Sequence, residues 1–252
     1  MNKISIILPE PVKRIIGELE KCGYEAFAVG GCVRDSIIGI TPNDWDICTN
    51  ADPQAIIYAM EGMKVLTTGL KHGTVTVIEQ GMPYEITTYR KDGSYLDGRH
   101  PEKVTFVSSL NEDLARRDFT INAMAYHPKY GLMDWFGGIY DIKNRIIRCV
   151  GDPVLRFQED ALRIMRAIRF ASGFGFSIDS QTAEALHKNK NQLERVSAER
   201  ISEEFYKFLI HEQTGKLLNE FSDIIQSVLP ALSLITDKER DEICLLYTSR
   251  CV

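Results

Sequence analysis

Gly30-Gly31-Cys32-Val33-Arg34-Asp35, followed by Asp44-Trp45-Asp46, is the stretch on which the reading of this chain turns. Before it, residues 24–29 are aromatic and small apolar residues that read as a short strand. After the glycines, residues 32–38 read as a helical turn closed by Gly39. A glycine pair between a strand and a helix lets backbone N–H groups approach a phosphate closely. Arg34, one turn into that helix, adds a charged fork. Residues 45–48 read as a second strand flanked by Asp44, and alternate residues of a strand point to one face. Asp44 and Asp46 can therefore share one or two magnesium ions. Taken singly, Gly-Gly is more often a tight turn and Asp-x-Asp a solvated strand edge. Together, at this spacing, they favour phosphoryl or nucleotidyl transfer.

Working outward, residues 11–22 carry Val12, Ile15, Ile16 and Leu19 on one helical face, and Gly23 ends that helix. Residues 53–60 read as a helix with Asp52 as its cap and Pro53 at the first position. Residues 74–79 and 84–89 alternate, with Gly81-Met82-Pro83 as the turn, and predict an antiparallel hairpin. Residues 91–102 read as a polar loop, 104–107 as a strand, 108–125 as a helix, and 132–135 and 145–150 as short strands. Beyond Gly151 the pattern becomes helical, at 159–172, 179–187, 197–211 and 214–226. Strands first and helices afterwards predict an α+β protein, with a catalytic head over residues 1–150 and a helical part over residues 151–252.

Composition bounds the function. The 252 residues are 44% hydrophobic and 26% charged, enough apolar material for a real core, which excludes general disorder. No repeat or compositional bias supports a collagenous, coiled-coil or mucin-like chain. A net charge of −5 disfavours holding nucleic acid by bulk charge, although a local basic strip would still serve RNA. The six cysteines form no C-x-x-C pair and no zinc spacing, and read as reduced thiols. The apolar N-terminal run is too short for a signal peptide or a membrane span. The chain is read as cytoplasmic, with no membrane partner, and nothing in it points to a protein partner.

Two further constellations carry chemistry. In Arg116-Arg117-Asp118-Phe119-Thr120-Ile121-Asn122-Ala123-Met124, two arginines beside an aspartate offer phosphate forks and an acceptor for a ribose hydroxyl. An isolated Arg-Arg-Asp would instead be a helix surface with a local ion pair. Residues 159–170, Glu-Asp-Ala-Leu-Arg-Ile-Met-Arg-Ala-Ile-Arg-Phe, can be placed on one helix. Asp160, Arg163 and Arg166 then share one side, opposite the apolar stripe of Ala161, Ile164, Met165 and Ile168, with Arg169 further round. Asp160 offers acceptors and Arg163 donors, a pair that can match the Watson–Crick edge of cytosine or adenine without a template. Arg166 and Arg169 are left for phosphates. A salt-bridged solvated face has the same spacing. Glu85 alternates onto one strand face, either as an ordinary strand glutamate or as a third carboxylate beside the metals.

The first motif, the string 116–124 and the helix 159–170 resemble the class II tRNA nucleotidyltransferases, the CCA-adding enzymes and related bacterial poly(A) polymerases. The likeness runs from about residue 10 to about residue 230. It implies a head of the polymerase-β nucleotidyltransferase type, with a mixed or antiparallel sheet and flanking helices, then a helical neck and the start of a body. It implies that Asp44 and Asp46 bind Mg2+ and, with Glu85, form the catalytic carboxylates. Gly30, Gly31 and Arg34 would bind the triphosphate, and Arg117, Asp118 and Asn122 the nucleotide, Asp118 at its sugar. Asp160 and Arg163 would read the base, with Arg166 and Arg169 completing the nucleotide site. The substrates implied are CTP, ATP and the 3′ end of tRNA, and the alternative is a poly(A) polymerase reading only ATP. Residues 92–101, with Asp97 and Arg99, resemble the family's flexible loop, whose uninterrupted length tilts the reading toward adding A as well as C. Residues 197–204 resemble a fourth, helical motif, which capping and packing explain adequately. Family members continue into helical body and tail domains. The expectation is therefore a shortened gene product, with a foreign tail from about residue 244.

Overall fold

The computed structural model describes residues 4–92, 104–211 and 213–234. The loop with Asp97 and Arg99 and the stretch from residue 244 lie outside the described residues. The chain divides into two units: Met1–Gly93 with Pro101–Tyr140, and Ser94–His100 with Asp141–Val252.

In the first unit the order is α1 (Glu10–Lys21), β1 (Ala26–Val29), α2 (Gly31–Ile38), β2 (Asp46–Thr49), α3 (Pro53–Ala59), β3 (Lys64–Leu66), β4 (Thr74–Glu79) and β5 (Met82–Thr88). Then come β6 (Arg90–Asp92), β7 (Val104–Phe106), α4 (Leu110–Ala115), β8 (Ala125–His127) and β9 (Gly131–Met133). Seven strands form one mixed sheet in the order β3-β4-β5-β2-β1-β8-β9, and β6 pairs separately with β7. Only β2 and β5 run parallel within the large sheet, and they set Asp46 beside Glu85. On the other side of β2, Val29 faces Asp46 in an antiparallel pair. The glycine turn at the end of β1 thus lies next to the first residue of β2.

Local chemistry explains these elements. The apolar stripe of α1, Val12, Ile15, Ile16 and Leu19, is buried. Asp52 caps α3 by accepting from Gln54 N and Ala55 N at 2.9 and 2.8 Å. The β4–β5 hairpin turns one residue earlier than the sequence pattern predicts. Gln80 and Gly81 both take positive φ, 53° and 80°, and Met82 already pairs with Glu79. A two-residue hairpin connection of this kind needs positive φ at both positions, which suits Gly81 better than Pro83.

The expected helix over 108–125 does not form as one piece. It stops at Ala115, Phe119 is extended, and a 3₁₀ turn spans Thr120–Asn122. Asp118 Oδ1 accepts from Phe119 N at 2.8 Å and from Asn122 Nδ2 at 3.0 Å. Such short-range side-chain bonds compete with the helical ladder.

Next in the chain is α5 (Gly138–Asn144). The second unit then contains β10 (Ile146–Ile147), α6 (Pro153–Glu159), α7 (Leu162–Phe174), β11 (Ser177–Ile178), α8 (Ser180–Asn189), α9 (Ala198–Leu209), α10 (Thr214–Glu220) and α11 (Ser222–Val228). The two short strands pair in parallel, and the rest of the described unit is helical. The helix expected over 159–172 is two helices. Asp160 is extended between them (φ −140°, ψ 104°), and its carboxylate accepts from Leu162 N at 3.1 Å. Aspartate at that position caps a new helix more readily than it continues the old one. No helix among the described residues is long and apolar enough to cross a membrane.

Candidate active site

The site of the first unit is built around Gly30. Its φ is +81°, a conformation that favours glycine, and its N–H donates to Met124 O at 3.0 Å. A Cβ there would stand 2.9 Å from Arg117 Nη1. The glycine turn is therefore the wall against which the Arg117 guanidinium lies. Gly31 opens α2, and Arg34 follows one turn later.

Arg34 is largely buried, with 8% of its surface exposed. Its Nε donates to Asp35 Oδ1 at 2.8 Å and its Nη1 to Asn122 Oδ1 at 2.5 Å. Asn122 Nδ2 in turn donates to Asp118 Oδ1. The chain Arg34–Asn122–Asp118 thus ties the first motif to the second. An amide oriented by a donor on its oxygen and an acceptor at its nitrogen has one orientation only. Arg117 Nη2 donates to Asp113 Oδ2 at 3.2 Å, and Arg116 donates to Asp113 Oδ1 from Nε and Nη2 at 3.0 and 2.8 Å.

The carboxylates lie at the start of β2. Asp44 is exposed, Trp45 is buried and Asp46 is half-buried, the alternation expected of a strand edge. The Asp46 carboxyl is pushed up to about 6. Burial is the main cause, Arg117 opposes it, and the charges of Asp44 and Glu85 add to it. Glu85 is exposed beside Asp46 in the β2–β5 register, and neighbouring residues of paired strands share a face. Among the described residues no three His, Cys, Asp or Glu side chains cluster closely enough to hold a metal ion. The negative charge of Glu85 acts on Asp46 and helps to raise its pKa. The hard oxygens of Asp44 and Asp46 suit a divalent cation that keeps most of its ligands as water or phosphate. Their mutual repulsion is what such a cation would relieve.

The second unit holds the other sequence motif, and its side chains are engaged differently from the expectation. Asp160 does not share a helix with Arg163; its Oδ2 pairs with Arg200 Nη2 at 3.2 Å. Arg163 is largely buried, pairs with Glu159 Oε2 at 2.7 Å and donates to Arg156 O at 3.2 Å. Arg166 and Arg169, expected to be left for phosphates, both meet Glu204. Arg169 donates its Nε to Oε2, Arg166 Nη1 stands 3.8 Å from Oε1, and Glu204 itself is buried on α9. Both guanidiniums also lie over the Phe170 ring, at 5.3 and 4.1 Å from its centroid. A buried carboxylate requires cationic partners, and α7 supplies two of its three arginines to Glu204, the third, Arg163, pairing with Glu159. The predicted apolar stripe, Ala161, Ile164, Met165 and Ile168, is buried.

Sequence reasoning missed Asp113 and Glu204. The spacing of Asp113 to Arg116 and Arg117, three and four residues, is a recognisable ion-pair pattern. Glu204 carries no such signal, because its partners lie on another helix.

The model of the poly A polymerase head domain matches residues 26–148. That of the probable RNA and SrmB-binding site of polymerase A matches residues 175–234. A CCA-adding enzyme of Ligilactobacillus salivarius is 46% identical over 219 residues, 86% of this chain and 54% of that protein. The crystal structure of the Bacillus stearothermophilus CCA-adding enzyme in complex with CTP superimposes with a TM-score of 0.77 at 40% identity. It is matched over 86% of this chain and 53% of that one. The Thermotoga maritima CCA-adding enzyme complexed with tRNA-CCA gives a TM-score of 0.74 at 29% identity, over 90% of this chain and 54% of that one. The chain spans about half the length of the curated relatives it matches.

Proposed function

Because the chain belongs to the poly(A) polymerase head-domain family that contains the CCA-adding enzymes, we propose that it carries the catalytic part of a template-independent RNA nucleotidyltransferase. Its reaction would add CMP and AMP to the 3′ end of tRNA, from CTP and ATP, releasing pyrophosphate. The observation that carries this reading is the Arg34–Asn122–Asp118 chain, which draws two nucleotide-binding motifs around the Gly30-Gly31 turn in the unit that presents Asp44 and Asp46. Polymerase-type nucleotidyltransferases generally use divalent metal ions. Asp44 and Asp46 would hold magnesium, which when bound supplies acidification of the attacking 3′-hydroxyl and charge neutralisation on the triphosphate.

The remaining roles fall to the protein's own groups. The N–H groups at the start of α2 face the triphosphate in this reading, and Arg34 adds positive charge to that site while its fork stays bonded to Asp35 and Asn122. Arg117 adds positive charge beside Gly30, and Asp118 and Asn122 orient the ribose. Glu85 adds negative charge next to Asp46 and so strengthens its hold on a cation. On the second unit, Asp160 and Arg163 are assigned the base, with Arg200 and Glu159 fixing their side chains. Arg166 and Arg169 complete that helix's nucleotide contacts, with Glu204 as their anchor. RNA would be held by shape and backbone, since a chain of net charge −5 has little bulk attraction for it. The same reading places the protein in the cytoplasm.

The test offers tRNA ending before its CCA with CTP or ATP separately, in magnesium. CMP incorporation that Asp44→Ala abolishes is the expected result. Incorporation of ATP alone would establish a poly(A) polymerase instead, and an Asp44→Ala protein of undiminished activity would overturn the catalytic assignment.

A further inference from the structure

We propose that Asp113 is a positioning residue for nucleoside triphosphate binding, acting through Arg117. The inference rests on the nucleotidyltransferase reading and goes beyond it, because Asp113 belongs to none of the motifs that define that reading.

Asp113 is completely buried on α4. Its two oxygens serve different arginines. Oδ1 accepts from Arg116 and from Arg90 N at 3.2 Å, and Oδ2 accepts from Arg117 Nη2. A carboxylate so surrounded has no freedom to rotate. Burial alone would raise its pKa, but Arg117 and Arg116 outweigh burial and hold it below the usual value. It therefore stays a fixed negative charge.

Arg117 is the group that needs such a fixture. Its Nη1 lies against Gly30, where even a Cβ would be only 2.9 Å away, and its Nε is buried without a hydrogen-bond partner among the described residues. One edge of the guanidinium thus abuts the phosphate-binding turn, and the opposite amine is tied to Asp113. The helix has already ended at Ala115, so backbone geometry alone does not aim this side chain. With Asp113 removed, the guanidinium loses the acceptor that holds it and is left to swing away from the turn. Arg116 does not substitute, because its fork already closes on the other oxygen of the same carboxylate.

The test is a double-mutant cycle on the chain, read as the dissociation constants of CTP and ATP in magnesium by calorimetry, with folding followed by circular dichroism. Asp113→Asn keeps the shape, removes the charge and turns an amine toward Arg117. It should weaken binding about tenfold, the scale of one misdirected charge-assisted hydrogen bond. In an Arg117→Ala background the same substitution should change binding less than about twofold, since nothing is left to aim. A merely structural role predicts equal losses in both backgrounds, and that result, or unchanged binding by folded Asp113→Asn, overturns the proposal. Should Asp113→Asn not fold, Asp113→Glu carries the same cycle: a carboxylate displaced by one methylene should weaken binding severalfold with Arg117 present and leave it unchanged without. Equal effects in both backgrounds again overturn it. A wild-type chain that binds neither nucleotide refutes the parent reading and this proposal with it. Wild-type binding without coupling refutes this proposal alone.

Discussion

Arg34 Nη1 donates to Asn122 Oδ1 at 2.5 Å, joining two side chains 88 positions apart in the sequence. Both are buried, so the bond is shielded from water and fixes the spacing of α2 and the 3₁₀ turn at Thr120–Asn122. Removing one partner leaves the other's polar atoms buried and poorly satisfied, a cost of about 1–3 kcal/mol. Asn122→Ala and Arg34→Met should each lower the unfolding free energy by about that amount. The double variant should lose less than the sum, because the interaction is removed once. Urea titrations of the three proteins measure this. Strict additivity would show that the bond contributes nothing to the fold.

Gly30 and Gly39 both have positive φ, +81° and +89°, but only Gly30 meets another group. Alanine at Gly39 has open space around it and suffers only backbone strain, about 1–2 kcal/mol. Alanine at Gly30 suffers more strain, because ψ is −129° there against 18° at Gly39, and it must also displace the Arg117 guanidinium. Gly30→Ala should therefore melt at a lower temperature than Gly39→Ala, and only Gly30→Ala should impair nucleotide binding. Equal melting temperatures would mean that neither the backbone at Gly30 nor Arg117 resists the added methyl.

Asp113 makes the chain's stability depend on pH with a definite sign. Its carboxyl is held below its ordinary value of 3.8 in the folded state, despite burial, by Arg117 and Arg116. The native state therefore binds fewer protons than the unfolded one between the two values. The resulting stabilisation is fully present above the unfolded value and is lost as pH falls through the lowered folded one. Breaking such a buried pair costs about 3–5 kcal/mol at neutral pH. The gap in unfolding free energy between wild type and Asp113→Asn should be widest near pH 7 and narrow in the acid range below the ordinary carboxylate value. Denaturant titrations at several pH values follow it, and a gap independent of pH would contradict the assignment.

How far the sequence can be read depends on where each residue finds its partners. The β4 strand is legible because Val75 and Val77 alternate onto the buried face, and α3 because Asp52 caps it from just ahead of its first turn. The glycine turn and the Asp44–Asp46 pair are legible because their geometry is local. Residues 116–122 have the pattern of a helix but do not form one, since the bonds from Asp118 to Phe119 and Asn122 outcompete the ladder, and nothing in periodicity reports that. The break at Asp160 is a single capping residue inside an otherwise helical pattern. The engagement of Arg166 and Arg169 is invisible for another reason: their partner Glu204 is 35 residues from Arg169 and is brought to it by the packing of α9 on α7.

That packing leads to a test of the second unit. Glu204 is buried and meets Arg169 directly, with Arg166 at 3.8 Å and the Phe170 ring beneath both guanidiniums. Glu204→Gln leaves two cations facing a neutral amide in a poorly hydrated place, and should cost about 3 kcal/mol, as broken buried pairs do. Added salt screens surface pairs but barely reaches this one, so the difference from wild type should persist at about 1 M salt. Glu184→Gln, which breaks the exposed pair with Lys188, is the control and should have no such effect. The two arginines should also become more accessible, so that an arginine-selective reagent modifies Arg166 and Arg169 faster in Glu204→Gln, as peptide mapping would record. Unchanged stability and unchanged modification rates would mean that the arginines are held by contacts other than Glu204.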